Sequence, residues 1–160
     1  MYPWPAEILE TITVDELNSR HRWDVRFLEL AKLVATWSKD PSTKIGAVCV
    51  KERHILSVGY NGFPPGVVDS LERLNDRPTK LDLVIHAEKN AVLNAARHGV
   101  AISGSTMYTT HHPCLQCLEY MGAAGVVRSV FYEDETFEVR WKHVLFDQVA
   151  LEMGIEIVTV

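Results

Sequence analysis

Cysteine is scarce in this chain: three residues in 160, at positions 49, 114 and 117. Three cysteines cannot build a disulfide framework, so a reducing cytoplasm, of a cell or of an infected host cell, is the expected setting. No run approaches the roughly 18 uninterrupted apolar residues of a membrane span, and the first residues lack a basic-then-apolar leader pattern. A membrane is therefore not an expected partner. Positive charge is also in short supply, with 16 Lys and Arg against 21 Asp and Glu and a net charge of -5. A protein that grips a nucleic-acid backbone normally shows a basic face, so a small substrate is expected and nucleic acid is not. There is no internal repeat and no low-complexity tract. What remains is ordinary for a globular domain: 47% apolar residues and enough length to bury one core.

The order of elements can be read from periodicity. Residues 1–21 open with Tyr2-Pro3-Trp4-Pro5, which excludes regular helix, and are expected to form an arm. Within it, Thr13-x-x-Glu16 has the pattern of a capping box. Trp4 on such an arm packs either on a neighbouring subunit or back on its own domain. Residues 22–160 are expected to be the folded domain. Trp23, Phe27, Leu30, Ala31, Val34 and Trp37 recur at helical spacing, and that helix must stop before Pro41. Residues 44–50 and 54–60 read as two strands joined by a tight turn. Asn61-Gly62-Phe63-Pro64-Pro65-Gly66 breaks regular structure, and 67–82 is expected to be a loop with a helical turn. Helices are predicted over 86–97, 113–124 and 137–153, and strands over 106–110, 126–132 and 155–160. A hairpin followed by alternating helices and strands gives an α/β sheet with helices on both faces.

Two short stretches carry the chemistry. His86-Ala87-Glu88 precedes Pro113-Cys114-Leu115-Gln116-Cys117, with 24 residues between Glu88 and Pro113. One imidazole and two thiolates fill three of the four tetrahedral positions of zinc, and three ligands with a vacancy make a catalytic site rather than a structural one. A zinc-bound water has its pKa lowered to about 7, and a carboxylate beside it can carry protons. Cys114 and Cys117 are three apart, so they share a face of a helical turn, and Pro113 suits the first turn of that helix. A lone C-x-x-C is more often structural zinc or a redox pair, but a closed four-ligand site would need another Cys or His. Cys49 lies in a strand-like apolar run, and His111 and His112 are awkwardly close to Cys114 for a fourth ligand. Both halves of the motif fall at predicted helix N-termini, whose dipoles favour thiolate and hydroxide.

H-x-E followed by P-C-x-x-C is the signature of zinc-dependent nucleobase deaminases. Three further stretches narrow the resemblance: Ser38-Lys39-Asp40-Pro41, Gly59-Tyr60-Asn61-Gly62, and the extension of the first motif through Lys89-Asn90-Ala91. From about Trp23 onward the chain resembles the deoxycytidylate (dCMP) deaminases. The resemblance implies a three-layer α/β/α cytidine-deaminase-like fold with a central five-stranded mixed sheet. It also implies hydrolysis of dCMP to dUMP and ammonia, which feeds dTMP synthesis. By that resemblance His86, Cys114 and Cys117 hold one zinc per chain, and Glu88 shuttles protons from water to N3 and to the departing amine. Asn61 would touch the sugar; an Asn-Gly turn is the lesser alternative for it. Ser38, Lys39, Ser42, Thr43 and Lys44 resemble a phosphate-contacting loop, a pattern that elsewhere is commonly just a helix end. Thr110, His111 and His112 would line the amino edge of the base. Phe137 stands where the family often has a tyrosine over the base.

Many members of that family are hexamers activated by dCTP with Mg2+ and inhibited by dTTP. The resemblance therefore implies a homo-oligomer with an effector site between subunits at Gly62, Asn90, Asn94 and Arg97. The last three form a polar stripe at i, i+4 and i+7, which a solvated helix face would also explain. Two rivals remain open at this stage. One is another deaminase acting on tRNA adenosine, a nucleoside or a free base. The other is a non-catalytic deaminase-like module for assembly or DNA uptake, which would have no need of Glu88.

Overall fold

In a computed structural model, residues 13–134 and 143–160 are described. The first helix, α1, spans Val14–Ala35. It starts eight residues earlier than its apolar periodicity indicates, so residues 14–21 belong to the helix and not to an arm. The Thr13/Glu16 capping box sets the start. Glu16 donates its N–H to the Thr13 hydroxyl at 3.2 Å, and the Glu16 carboxylate accepts from the Thr13 N–H at 2.8 Å. The first two turns are solvent-exposed, which is why they carry no apolar signal.

Strands β1 (Gly46–Lys51) and β2 (His54–Tyr60) form the expected hairpin. Two short helices follow, α2 (Leu71–Asn75) and α3 (Arg77–Leu83), in the stretch expected to be loop with one helical turn. Each is started by a local side-chain cap, Ser70 for α2 and Asp76 for α3, and Pro78 sits in the first turn of α3, where its missing N–H costs nothing. Then come α4 (Ala87–Arg97), β3 (Thr106–Thr109), α5 (Leu115–Ala123), β4 (Arg128–Phe131), α6 (Phe146–Glu152) and β5 (Glu156–Thr159). Of the helix expected over 137–153, residues 137–142 lie outside the described residues, and the described part is helical from Phe146.

The strand order is β2-β1-β3-β4-β5. The first three strands pair antiparallel and the last three parallel, so the sheet is mixed. Side chains alternate across it. Val48 and Val50 of β1 face one side with Tyr108 and Val130, and there they meet Phe27, Leu28, Ala31 and Val34 of α1. Ala47 and Cys49 face the other side with Met107, beneath Ala87, Ala91 and Ala95 of α4, Leu118 and Met121 of α5, and Phe146 and Ala150 of α6. The result, among the described residues, is three layers, with α1 below the sheet and α4, α5 and α6 above it. Two glycines let helices come unusually close. A Cβ at Gly46 would collide with the Ala31 carbonyl of α1, and one at Gly59 with the Ala87 carbonyl of α4.

This arrangement gathers one end of the molecule. The start of β1, the ends of β2, β3 and β4, and the N-termini of α4 and α5 lie at one edge of the sheet. An isolated bridge ties them further: Gly62 and Ile85 exchange backbone hydrogen bonds of 3.1 and 2.9 Å, which brings the chain after β2 against the entry to α4.

Candidate metal centre and active site

His86 is the N-cap of α4 and Cys114 the N-cap of α5. Pro113 therefore stands just outside its helix rather than in the first turn, and it is Cys114 that caps. Its sulfur accepts from the backbone N–H of Cys117 at 3.4 Å, the position that a Ser or Asp oxygen usually takes. The helix thus turns Cys117 back towards Cys114 and aims both sulfurs at one point.

The Nδ1 of His86 lies 3.5 Å from the Cys114 sulfur and 3.4 Å from the Cys117 sulfur, and all three atoms fall within 4.8 Å of one another. A tetrahedral zinc has about 2.0–2.1 Å to nitrogen and about 2.3 Å to sulfur, which places N and S about 3.5 Å apart. Both nitrogen–sulfur separations fit the ion. The donors also fit chemically, as one borderline nitrogen and two soft sulfurs. Since Nδ1 faces the sulfurs, Nε2 is the ring nitrogen left to carry the proton.

Charge inside the triangle is arranged to match. The hydrogen bond from Cys117 holds the Cys114 thiol well below its ordinary range, helped by His86, while the same bond and burial push Cys117 up. The pair shares one proton that a dication would displace. His86 is raised, chiefly by its hydrogen bond to Cys114. Glu88 sits in the first turn of α4, only 4% exposed, against Cys117. Burial raises its carboxyl above the usual range, which suits a group that must both take and give a proton.

Residues 21–133 match the model of the cytidine and deoxycytidylate deaminase zinc-binding region. The chain belongs to this deaminase family. Its relatives include a protein of Aliivibrio fischeri described as an uncharacterized deaminase in the luxG 3′ region, 39% identical over 141 residues covering 85% of this chain and 92% of that one. The deoxycytidylate deaminase of Mus musculus is 36% identical over 119 residues, 71% of this chain and 66% of the mouse protein. Among solved structures, the dCMP deaminase of cyanophage S-TIM5 in complex with dCMP and dUMP superposes with a TM-score of 0.71 at 27% identity, over 87% of this chain and 97% of that one. The three-layer architecture is accordingly the cytidine-deaminase-like fold that the sequence resemblance implies.

Asn61, the loop that follows Ser38, and Thr110 with His111 lie at the same edge, with varied partners. Asn61 is buried, and its amide binds backbone: Oδ1 accepts from the Ile45 N–H at 2.8 Å and Nδ2 donates to the Thr43 carbonyl at 2.9 Å. It straps the 38–45 loop to the end of β2. Ser38 is buried too, donating to the Asn61 carbonyl at 2.7 Å and accepting from the Asp40 N–H at 3.2 Å. Lys39 is exposed and pairs with Asp69 at 2.8 Å. The Thr43 side chain and Lys44 are exposed. The Thr110 hydroxyl accepts from the Gly46 N–H at 3.2 Å and lies 3.0 Å from His111 Nδ1. His111 is half-buried, and burial lowers its pKa against the opposing charge of Asp134. His112 is a core residue, its ring packed between Phe131 and Phe146 at 4.8 and 4.3 Å.

Of the proposed effector residues, Asn90 donates to the Tyr60 carbonyl at 2.7 Å and Asn94 to the Val58 carbonyl at 2.8 Å. The stripe is thus neither bare nor merely solvated; it stitches α4 to the edge strand. Arg97 is exposed at the end of that helix. Gly62 makes the bridge to Ile85 and borders a cavity of about 120 Å³ shared with Trp37, Lys39, Tyr60 and Asp69. Phe137 lies outside the described residues. One group at this edge, Lys80, carries no sequence signal. Lys80 is buried and makes a 3.2 Å ion pair with Asp40. Only the D-P-S-T run hints that Asp40 folds the loop around itself.

Proposed function

We propose that this deaminase converts dCMP and water to dUMP and ammonia. The observation that carries the reaction type is the His86/Cys114/Cys117 triangle with the buried Glu88 carboxyl beside it. Zinc held there would supply a Lewis acid that makes water nucleophilic near neutral pH. Glu88 then does the proton work. It would accept a proton from the attacking water and pass it to N3 of the cytosine as the C4–O bond forms, then take the proton of the new C4 hydroxyl and deliver it to the amine as the C4–N bond breaks and the C4 carbonyl forms. Closed off from solvent, its carboxyl exchanges protons with substrate rather than with bulk water.

The choice of a nucleoside monophosphate is supported by the loop of residues 38–44, which offers Lys39, Thr43 and Lys44 at the site edge, and by the dCMP deaminases among the relatives. Asn61 and Ser38 serve that pocket by shaping it. Thr110 and His111 border the base. The acidic net charge of -5 disfavours a tRNA substrate, and the buried Glu88 disfavours a non-catalytic module. The test is turnover of dCMP, deoxycytidine and cytosine by the zinc-loaded enzyme. dCMP is expected to be preferred by kcat/KM; equal use of deoxycytidine would overturn the monophosphate assignment.

The same reading extends to regulation. A homo-oligomer, a hexamer as the family resemblance implies, would bring Gly62, Asn90, Asn94 and Arg97 to a subunit boundary, where dCTP with Mg2+ activates and dTTP inhibits. The cavity beside Gly62 and the exposed guanidinium of Arg97 support it. The expected result is a sigmoidal rate curve in dCMP that dCTP-Mg2+ straightens. A hyperbola indifferent to both nucleotides would remove the effector assignment and leave the chemistry standing. A cytoplasmic setting is proposed on the same grounds as the reduced thiols.

A further inference from the structure

We infer that Lys80 is a positioning residue for the substrate's phosphate, acting through Asp40; this rests on the dCMP reading above. Asp40 is a buried carboxylate at the centre of the loop that has to receive an anion. Its Oδ1 accepts from the Ser42 N–H at 2.8 Å, the Ser42 hydroxyl at 2.7 Å and the Thr43 N–H at 3.2 Å. Its Oδ2 lies 3.5 Å from the Asn61 amide. These bonds fold residues 40–43 into a tight turn and leave one negative charge inside it. Burial acts to raise the Asp40 carboxyl, but the donors from Ser42, Thr43 and Lys80 outweigh it and hold the group below its ordinary range.

Lys80 reaches this turn from α3, 40 positions along the chain. Its ammonium lies 3.2 Å from Asp40 Oδ1 and 2.7 Å from the Ser42 oxygen. At 9% exposure it is a buried cation, a state lysine adopts only with a partner. The loop's inventory shows what the pair is for. Ser38 and Ser42 are committed to internal bonds, and the N–H groups of Ser42 and Thr43 are taken by Asp40. Lys39 is paired with Asp69, so among the described residues the exposed Thr43 hydroxyl and Lys44 ammonium are the loop's uncommitted side-chain donors to a phosphate. An uncompensated Asp40 directly behind them would repel the same phosphate. Lys80 cancels that charge and so lets a carboxylate-built turn serve as an anion site.

The test is a charge series, with KM and kcat for dCMP measured on the zinc-loaded wild type, Lys80→Met, Asp40→Asn and the double variant Asp40→Asn/Lys80→Met. Lys80→Met is expected to raise KM about tenfold, the scale of one uncompensated unit charge in a partly buried setting, with kcat little changed. The double variant is expected to return KM to near the wild-type value, and Asp40→Asn alone is expected not to raise it. A purely structural Lys80 would leave the double variant as impaired as Lys80→Met, and that result overturns the inference. Removing both partners of a buried pair is well tolerated. If Lys80→Met does not fold, the comparison of Asp40→Asn with the double variant therefore decides, and a higher KM in Asp40→Asn overturns it. A wild type inert towards dCMP removes the reading underneath and the inference with it. A wild type active on dCMP with a flat series overturns the inference alone.

Discussion

The two edges of the sheet are held together by different means. At the catalytic edge, main chain meets main chain. Gly46 admits the carbonyls of α1, Gly59 admits those of α4, and Ala87, Ala91 and Ala95 keep α4 low over the strands. Side chains there serve mostly as backbone ligands: Asn61 on Thr43 and Ile45, Asn90 and Asn94 on β2, Ser57 on the Ala91 carbonyl. At the opposite edge, side chain meets side chain. Arg128 grips Asp24 with two bonds of 2.7 and 2.8 Å, the Tyr108 hydroxyl donates to the same carboxylate at 2.9 Å, and Arg128 Nε faces Glu156 at 3.3 Å. The guanidiniums of Arg26 and Arg53 each lie 4.7 Å from the Trp23 ring, beside a cavity of about 190 Å³. The first kind of contact has almost no tolerance in distance and sets the height of His86 and Glu88 over the sheet. The second can adjust by rotamer, and it contributes to stability without touching the chemistry.

That contrast can be broken in order of effect. Cys117→Ser should strip the bound zinc and take activity to background, read by metal analysis of the purified protein beside the rate. Glu88→Gln should keep zinc at one per chain and lower kcat by about 10²–10⁴-fold; unchanged turnover would dismiss Glu88 as the proton carrier. At the far edge, Asp24→Ala leaves the buried Arg128 with only Glu156 to offset its charge and should cost about 3–5 kcal/mol in urea unfolding, with kcat/KM of the folded enzyme retained. At the near edge, Gly59→Ala should cost less stability, about 1–3 kcal/mol, yet depress kcat more than Asp24→Ala does, because α4 must lift away from β2. If Asp24→Ala proves the more damaging to kcat, the division between edges is wrong. The smallest effect belongs to Tyr108. Burial and the charge of Asp24 raise its phenol above the ordinary value, so the native state resists an ionisation that the unfolded chain undergoes near pH 10. Its contribution is complete below that pH and is lost as pH rises beyond it. Tyr108→Phe should cost about 1 kcal/mol at neutral pH and flatten the alkaline decline in urea midpoints.

What could be read from the sequence was what is local in the chain. Cys114 and Cys117 lie on one helical turn, His86 and Glu88 on another, and the two spacings read together point to a three-ligand zinc site with a carboxylate beside it. The Thr13/Glu16 box marked the true start of α1, while the exposed first turns hid it from the apolar pattern. Partners distant in the chain left no trace. Asp24 and Arg128 are 104 positions apart, and Lys80 finds Asp40 only because α3 folds over the loop. The polar stripe of α4 was legible as a stripe, but its targets, two carbonyls on a strand thirty or more residues earlier, were not. Asn61 likewise gives no sign in sequence that its amide is spent on the backbone of the loop before β1.

Those two asparagines have a consequence of another kind. β2 is one of the two outermost strands of the described sheet, and since the Asn61 N–H turns inward to Ile45, the carbonyls of Tyr60 and Val58 turn outward. Asn90 and Asn94 occupy both. An extended chain arriving at that border finds its docking points filled by a helix from the same molecule, so growth of the sheet into a fibre is blocked there.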